Sequence, residues 1–370
     1  MQFSILQENL YRLLQDLQKC IPVRPQLPIL SCVLIKADEK GVITFSATDL
    51  QFGMKAKTQG TVIQAGSAAV PAKVFIELIS SLNPGKLDLV LEDLTLKISA
   101  SDAKAKLQCF EALDYPTFPE KEGQSVSFGM AELAPAIQAT SFATSADDAR
   151  PVLTTLLFSF GASLEIVGTD GFRLAKINIP FQDKSFEIEQ LLLPSKAVNE
   201  AIRVALRQKV ETVVFAVSEK LRQVFFCFDN YEVMMRIMDG DFPPYQKIVP
   251  SDYGTQILFD GLEFQQKMKT ATIFARESSG IVKLTISKGT LTITSSSSSL
   301  GTQESTLPIQ IITGGDQEIA FNSRYLQDFL AAMKPEKIWL GMNESLKPAA
   351  LRPENLFAYS YIIMPFRVNT

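Results

Sequence analysis

Three stretches of the chain carry apolar residues at helical spacing: Leu10, Leu13, Leu14 and Leu17, then Leu133 and Ile137, then Phe264 and Met268. Residues three or four apart share a helix face, so each stretch predicts an amphipathic helix with one buried side. A run of β-branched and large apolar residues follows each one, at 29–35, 153–160 and 281–286, and predicts a strand. More short strands come next, then a second helix at about 72–82, 195–207 and 323–333, then closing strands at 87–98, 212–228 and from 338 onward. DYPTFP (114–119) and DGDFPPY (239–245) carry the prolines expected of linkers. The serine run 295–299 reads as a flexible loop between strands.

This order of elements recurs because the sequence recurs. PAKVFIELI from Pro71 and PSKAVNEAI from Pro194 match at Pro71/Pro194, Lys73/Lys196, Glu77/Glu200 and Ile79/Ile202, a lag of 123 residues. The same lag carries PILSCVLIK onto PVLTTLLFS. Within two residues it carries ATDL, with Thr48 and Asp49, onto GTDG, with Thr169 and Asp170. NSRYLQDFL from Asn322 is a fainter third copy. The chain therefore reads as three tandem domains, 1–124, 125–252 and 253–370. Each is α+β, two helices packed on one face of antiparallel sheet.

Composition narrows the chemistry. With 46% hydrophobic and 21% charged residues the chain is globular in type. No run approaches a membrane span, and MQFSILQENLYRLL lacks the pattern of a signal peptide. Cys20, Cys32, Cys109 and Cys227 form no CxxC pair and read as reduced thiols in a cytosolic protein. There is no histidine, which removes the commonest general base and the commonest metal ligand. No metal, cofactor or catalytic residue is expected. A carboxylate enzyme built on Asp49 and Asp170 is the alternative, but their equivalent places in two repeats favour turn chemistry. A protein-only scaffold is the other.

Net charge is −4, yet the six predicted helices, taken with their ends as 7–21, 72–83, 130–145, 194–209, 261–276 and 322–334, sum to +5, leaving −9 for the rest of the chain. Cations on solvated helix faces would explain this, as would helices that share a surface facing a polyanion. A domain of this length is about 36 Å across, so six in a closed ring leave a hole of about 36 Å, while three leave about 6 Å. A duplex about 20 Å wide fits the first and not the second. Two chains could encircle DNA where one could not.

RPQLPIL (24–30), ATDL (47–50), VPAKVF (70–75), TDGFRLA (169–175), DGDFPPYQKIVP (239–250) and YIIMPFRV (361–368) resemble, in order and spacing, the bacterial sliding clamp family, the beta subunit of DNA polymerase III. The resemblance runs end to end. It implies a head-to-tail homodimeric ring of three-domain chains, helices lining the hole, that encircles double-stranded DNA without sequence preference and does no chemistry. Implied partners are the replicative polymerase catalytic subunit, the clamp loader complex and other clamp-binding-motif proteins, in the cytoplasm at the nucleoid.

The same resemblance implies a peptide-binding cleft between domains two and three, formed by Leu153, Thr169, Gly171, Phe172, Arg173, Leu174, Pro243, Lys247, Ile248, Asn322, Tyr325, Met364, Pro365, Phe366, Arg367 and Val368. Aliphatic walls and an orienting arginine suit an extended peptide with an apolar anchor. Without the family, TDGFRL is a strand–turn–strand and IIMPF an edge strand ended by Pro365. DNA contacts fall to Arg24, Lys73, Arg150, Lys196, Arg203 and Arg207, and the dimer seam to Leu107 and Cys109 facing Ile273 and Phe274 of the second copy. Three departures stand out. Pro151-Val152 replace aromatic residues that touch DNA in some relatives, and Phe172 stands where histidine is common. The serine run with lone Glu304 replaces an acidic cluster that would face Lys104 and Lys106.

Overall fold

A computed structural model of the chain describes residues 1–181, 183, 185–277 and 279–367. They form six α-helices: α1 (Gln7–Leu17), α2 (Ala72–Ser81), α3 (Met130–Ser141), α4 (Ser195–Gln208), α5 (Gly261–Arg276) and α6 (Ser323–Met333). The second helix of each repeat lies within a residue or two of its expected place, because its apolar stripe is the seam against the sheet: Phe75, Ile76 and Ile79 in α2 are buried, as are Leu326, Phe329 and Leu330 in α6. Every strand pairing among the described residues is antiparallel.

The chain divides into two compact units, Met1–Met130 with Lys196–Ile237, and Ala131–Ser195 with Met238–Thr370. In the first, an eight-stranded sheet runs in the order Gln124–Gly129, Thr212–Ser218, Gln223–Phe228, Tyr231–Arg236, Phe52–Gln59, Val42–Thr48, Cys32–Ala37, Gly66–Pro71. A five-stranded sheet runs Thr61–Gln64, Gln2–Leu6, Lys86–Glu92, Thr95–Ser99, Lys104–Gln108. In the second unit a nine-stranded sheet runs Gln190–Pro194, Thr155–Phe160, Ser163–Thr169, Arg173–Pro180, Tyr359–Ile363, Ala349–Pro353, Lys337–Met342, Thr255–Asp260, Gln310–Thr313. A four-stranded sheet runs Gly301–Pro308, Thr290–Ser297, Ile281–Ser287, Gln317–Asn322.

Each large sheet is shared between repeats. Tyr231–Arg236 pairs with Phe52–Gln59, Met235 opposite Phe52, and Tyr359–Ile363 pairs with Arg173–Pro180, Ile363 opposite Arg173. The closing strand Tyr359–Ile363 is therefore interior, paired on both sides, and not the edge strand expected of IIMPF. Its alternate residues Tyr359, Tyr361 and Ile363 bury on one face and Ile362 on the other, which a fully buried strand requires.

Other expectations need correction. A strand, Gln2–Leu6, precedes the first helix; five residues are too few for alternation to stand out against the helical pattern that follows. The segments expected as strands from 29 and 153 open as 3₁₀ turns, Pro28–Ser31 and Pro151–Thr154, because proline sets φ for a turn and withholds a ladder donor. The serine run is mostly strand. Ser295, Ser296 and Ser297 complete Thr290–Ser297 opposite Gly301–Thr302–Gln303, with Ser295 and Ser297 buried, and only Ser298 and Ser299 belong to the turn. Small hydroxyl side chains fit both faces of a hairpin, and backbone pairing decides the conformation.

The linkers are straps packed across the outer faces of the large sheets. In the first unit Tyr115 packs with Cys32, Leu34 and Ala69, and Phe118 reaches Ala216, Phe225 and Met234. In the second, Met238, Phe242, Tyr245, Val249 and Tyr253 cover Leu157, Val167, Leu174, Leu192, Ala350 and Ile362. All four cysteines are free thiols, and burial pushes each above its ordinary value. Among the described residues no helix is long and apolar enough to cross a membrane.

Candidate functional site

The turn at Thr169–Arg173 is held by its own side chains. Thr169 Oγ1 donates to the Arg173 carbonyl at 2.6 Å and accepts from the Gly171 amide at 3.1 Å. Asp170 Oδ1 accepts from the amides of Phe172 and Arg173 at 2.9 and 3.0 Å. The first repeat builds the same turn. Thr48 Oγ1 donates to the Phe52 carbonyl at 3.0 Å and accepts from Leu50, while Asp49 Oδ1 accepts from Gln51 and Phe52 at 2.9 and 2.7 Å. Both aspartates thus hold their turns by accepting from backbone amides. Gly171 and Leu50 occupy matching left-handed positions, at φ +92° and +76°. Glycine leaves space there that leucine fills.

Arg173 was expected to orient a ligand, and the structure assigns it otherwise. It is 8% exposed, pairs with Asp170 at 3.0 Å and Asp328 at 2.6 Å, and lies 4.6 Å over the Tyr325 ring. Tyr361 donates its hydroxyl to the Tyr325 carbonyl at 3.0 Å. Burial opposes the charge on Arg173, but Tyr361, Asp328 and Asp170 together hold its proton more firmly than usual. Its guanidinium joins turn, α6 and closing strand, leaving no face for a ligand. Arg150, expected on the DNA path, has its Nη1 3.8 Å from where a Cβ on Gly171 would stand, with Leu153 Cδ1 at 4.0 Å.

The expected cleft residues lie on the turn and on four other segments. Of these, Leu153 and Leu174 are buried. The tail passes alongside, Met364 donating its amide to the Phe172 carbonyl at 2.9 Å and Phe366 to the Ala320 carbonyl at 2.8 Å. The strap closes the other side: Val152 packs into the same apolar cluster as Phe242, Tyr245 and Val249, and Pro243, Lys247 and Ile248 ride on that segment. Phe172 at 54%, Ile248 at 40% and Phe366 at 40% leave apolar side chains in solvent on these segments. Met364 and Arg367 are exposed and Pro365 half-buried. Asn322 caps α6, accepting from the Arg324 amide at 2.9 Å, so its side chain has a structural task. Val368 lies outside the described residues.

The basic residues separate into two kinds. Arg24, Lys73 and Lys196 are exposed, and no ion pair forms on them among the described residues; Lys73 and Lys196 stand in the first turns of α2 and α4. Arg203 and Arg207 instead converge on Asp16, a carboxylate with 0% exposure, which also accepts from the Tyr231 hydroxyl at 3.0 Å. Asp16 sits on the polar flank of the Leu10–Leu17 stripe, where a lone acidic residue carries no sequence signal of burial.

At the expected seam, Lys104–Gln108 and Gly301–Pro308 are each the outermost strand of their sheet. Leu107 is half-buried, but Cys109 is only 4% exposed and its thiol turns inward, so it offers little to a partner. Phe110, unanticipated, is exposed instead, because its backbone bridges to Ala69 and turns the side chain outward. Ile273 is exposed and Phe274 half-buried on α5. Lys104, Lys106 and Glu304 are exposed and make no ion pair among the described residues. No cluster of three metal-ligating side chains occurs among them either.

Three family models match in sequence along the chain: the N-terminal domain of the DNA polymerase III beta subunit at residues 1–119, the central domain at 128–244 and the C-terminal domain at 246–367. The beta sliding clamp of Chlamydia muridarum is 28% identical, with the whole of both chains covered. The crystal structure of DNA polymerase III subunit beta from Pseudomonas aeruginosa matches at a TM-score of 0.92 and 26% identity over all of both chains. So does a sliding clamp from the same organism bound to griselimycin, again at 0.92 and 26% over the whole of both chains. With three clamp domains matched in order, the chain belongs to the DNA polymerase III beta subunit family.

Proposed function

We propose that this chain is a sliding clamp, a non-catalytic ring that encircles duplex DNA and tethers the replicative polymerase for processive synthesis. Three domains, 1–124, 125–252 and 253–370, would each present a helix pair toward the DNA. The observation that carries the assembly is the pair of unsatisfied outermost strands, Lys104–Gln108 in one unit and Gly301–Pro308 in the other. An edge strand exposes a row of backbone donors and acceptors, and pairing one edge with the other across two copies satisfies both. DNA contact falls to Arg24, Lys73 and Lys196, as phosphate-directed contacts that permit sliding.

The depression around Gly171 is the docking cleft for the polymerase, the clamp loader and other partners that carry a short apolar motif. Its exposed Phe172, Ile248, Met364 and Phe366 over a floor of Leu153 and Leu174 suit an extended peptide. Griselimycin, bound by the Pseudomonas aeruginosa relative, serves as its probe. No metal or cofactor enters the reading, and the place of work is the cytoplasm, at the nucleoid. The test is to load the protein on nicked circular DNA with a matching loader and filter before and after linearising. Retention on circles and release from linear DNA is the expected result. Equal retention on both means ordinary surface binding and overturns the ring.

A further inference from the structure

We infer that Tyr245, Glu165 and Lys176 form a positioning tether that fixes the strap wall of the cleft, so that docking depends on residues a bound peptide need not touch. The inference rests on the docking reading of the cleft.

The strap from Met238 to Tyr253 is anchored at both ends. Met238 donates its amide to the Leu192 carbonyl at 2.8 Å, and Tyr253 packs edge-on against Trp339 at 5.1 Å between ring centres. Its middle carries the wall residues Pro243, Lys247 and Ile248. Pro243 and Pro244 have no amide hydrogens, so this stretch cannot hold itself to the sheet through those backbone donors. There Tyr245, 4% exposed, sends its hydroxyl to Glu165 Oε1 on the outer face of the nine-stranded sheet. Lys176 Nζ holds the other carboxylate oxygen at 3.1 Å from the neighbouring strand. Burial, with Glu165 alongside, pushes the tyrosine hydroxyl well above its ordinary value, so it remains a donor.

The first strap shows what this arrangement replaces. Asp114-Tyr115-Pro116 matches Asp241-Phe242-Pro243, which sets Phe118 where Tyr245 stands. Phe118 holds its strap without a hydroxyl: it stacks on Tyr115 at 6.2 Å, joins two apolar clusters and has Lys55 Nζ 5.4 Å over its ring. At the matching place in the second strap a tyrosine hydroxyl reaches a carboxylate, and a charge-assisted hydrogen bond takes over the holding.

The full-length chain decides it, as wild type and as Tyr245→Phe, Glu165→Ala, Glu165→Gln and Tyr245→Phe/Glu165→Ala. Griselimycin binding is followed through Trp339 emission, and amide exchange of Ile248, whose N–H donates to the Tyr245 carbonyl at 3.0 Å, is measured without ligand. Expected are affinity about tenfold weaker in Tyr245→Phe, faster Ile248 exchange, a smaller loss in Glu165→Gln than in Glu165→Ala, and a double variant no worse than its worse single. Wild-type binding that Tyr245→Phe leaves unchanged, with unchanged exchange, overturns the tether. Absent wild-type binding would sink the docking reading instead, and Ile248 exchange would still show whether the tether holds the strap.

Discussion

Asp16 shows how one residue redirects its neighbours. A buried carboxylate demands partners, and Arg203, Arg207 and Tyr231 supply them. The two arginines are held by the fold, while Lys73 and Lys196 are exposed and make no ion pair among the described residues. Asp16→Ala should cost about 1–3 kcal/mol of unfolding free energy in denaturant titration, since the half-exposed arginines can rehydrate. On circular DNA, Lys73→Ala and Lys196→Ala should each lower the slope of log affinity against log salt by roughly 1, whereas Arg203→Ala should leave it unchanged. An arginine variant that flattens the slope as a lysine variant does would return Arg203 to the DNA set. Tyrosine ionisation gives the pH dependence its sign. Burial lifts Tyr231 to about 12 and raises Tyr245, Tyr359 and Tyr361 as well, so the folded chain holds these protons more tightly than the unfolded one. Their contribution is complete below the ordinary tyrosine value near 10 and is lost as pH rises through the folded values. Tyrosinate absorbance should therefore rise together with unfolding above about pH 10, not before it.

At the scale of elements, the matching turns isolate what makes a cleft. Leu50 and Gly171 share a backbone conformation and a set of hydrogen bonds, and differ in whether a side chain fills the space. If the proposed cleft takes griselimycin, Gly171→Leu should weaken that binding tenfold or more while costing only about 1–2 kcal/mol of stability, because Leu50 shows that the turn accepts leucine. Calorimetry beside denaturant titration separates the two, and full binding by that variant would place the ligand elsewhere. The turn itself was legible in the sequence, since Thr and Asp before a glycine specify it locally. The burial of Arg173 was not, because Asp328 and Tyr325 lie more than 150 residues away. Nor was the inward turn of Cys109, or the strand made by the serines, since long-range pairing decides both.

For the whole molecule, repeats and family resemblance anticipated three α+β domains, but not that strands of neighbouring repeats share a sheet. Alternation within a strand says nothing about which strand lies beside it. The two outermost strands proposed as the seam carry Lys104 and Lys106 on one edge and Glu304 alone on the other, so few ion pairs could form across such a dimer. Sedimentation should find a dimer whose dissociation constant changes less than about threefold between 0.05 and 0.5 M salt. Thr302→Glu/Thr306→Glu should tighten it at low salt and lose that gain at 1 M. Strong salt dependence of the unaltered chain would locate its charges elsewhere. The shared sheets also change what a domain means here. Strands within 124–129 and 212–236 are woven into the first repeat's sheet, and those within 155–180 and 190–194 into the third's. The middle repeat is therefore less a bead on a string than a splice. A chain cut just before Tyr359 would strip the flank of Arg173–Pro180 as well, unravelling two repeats for the loss of one strand.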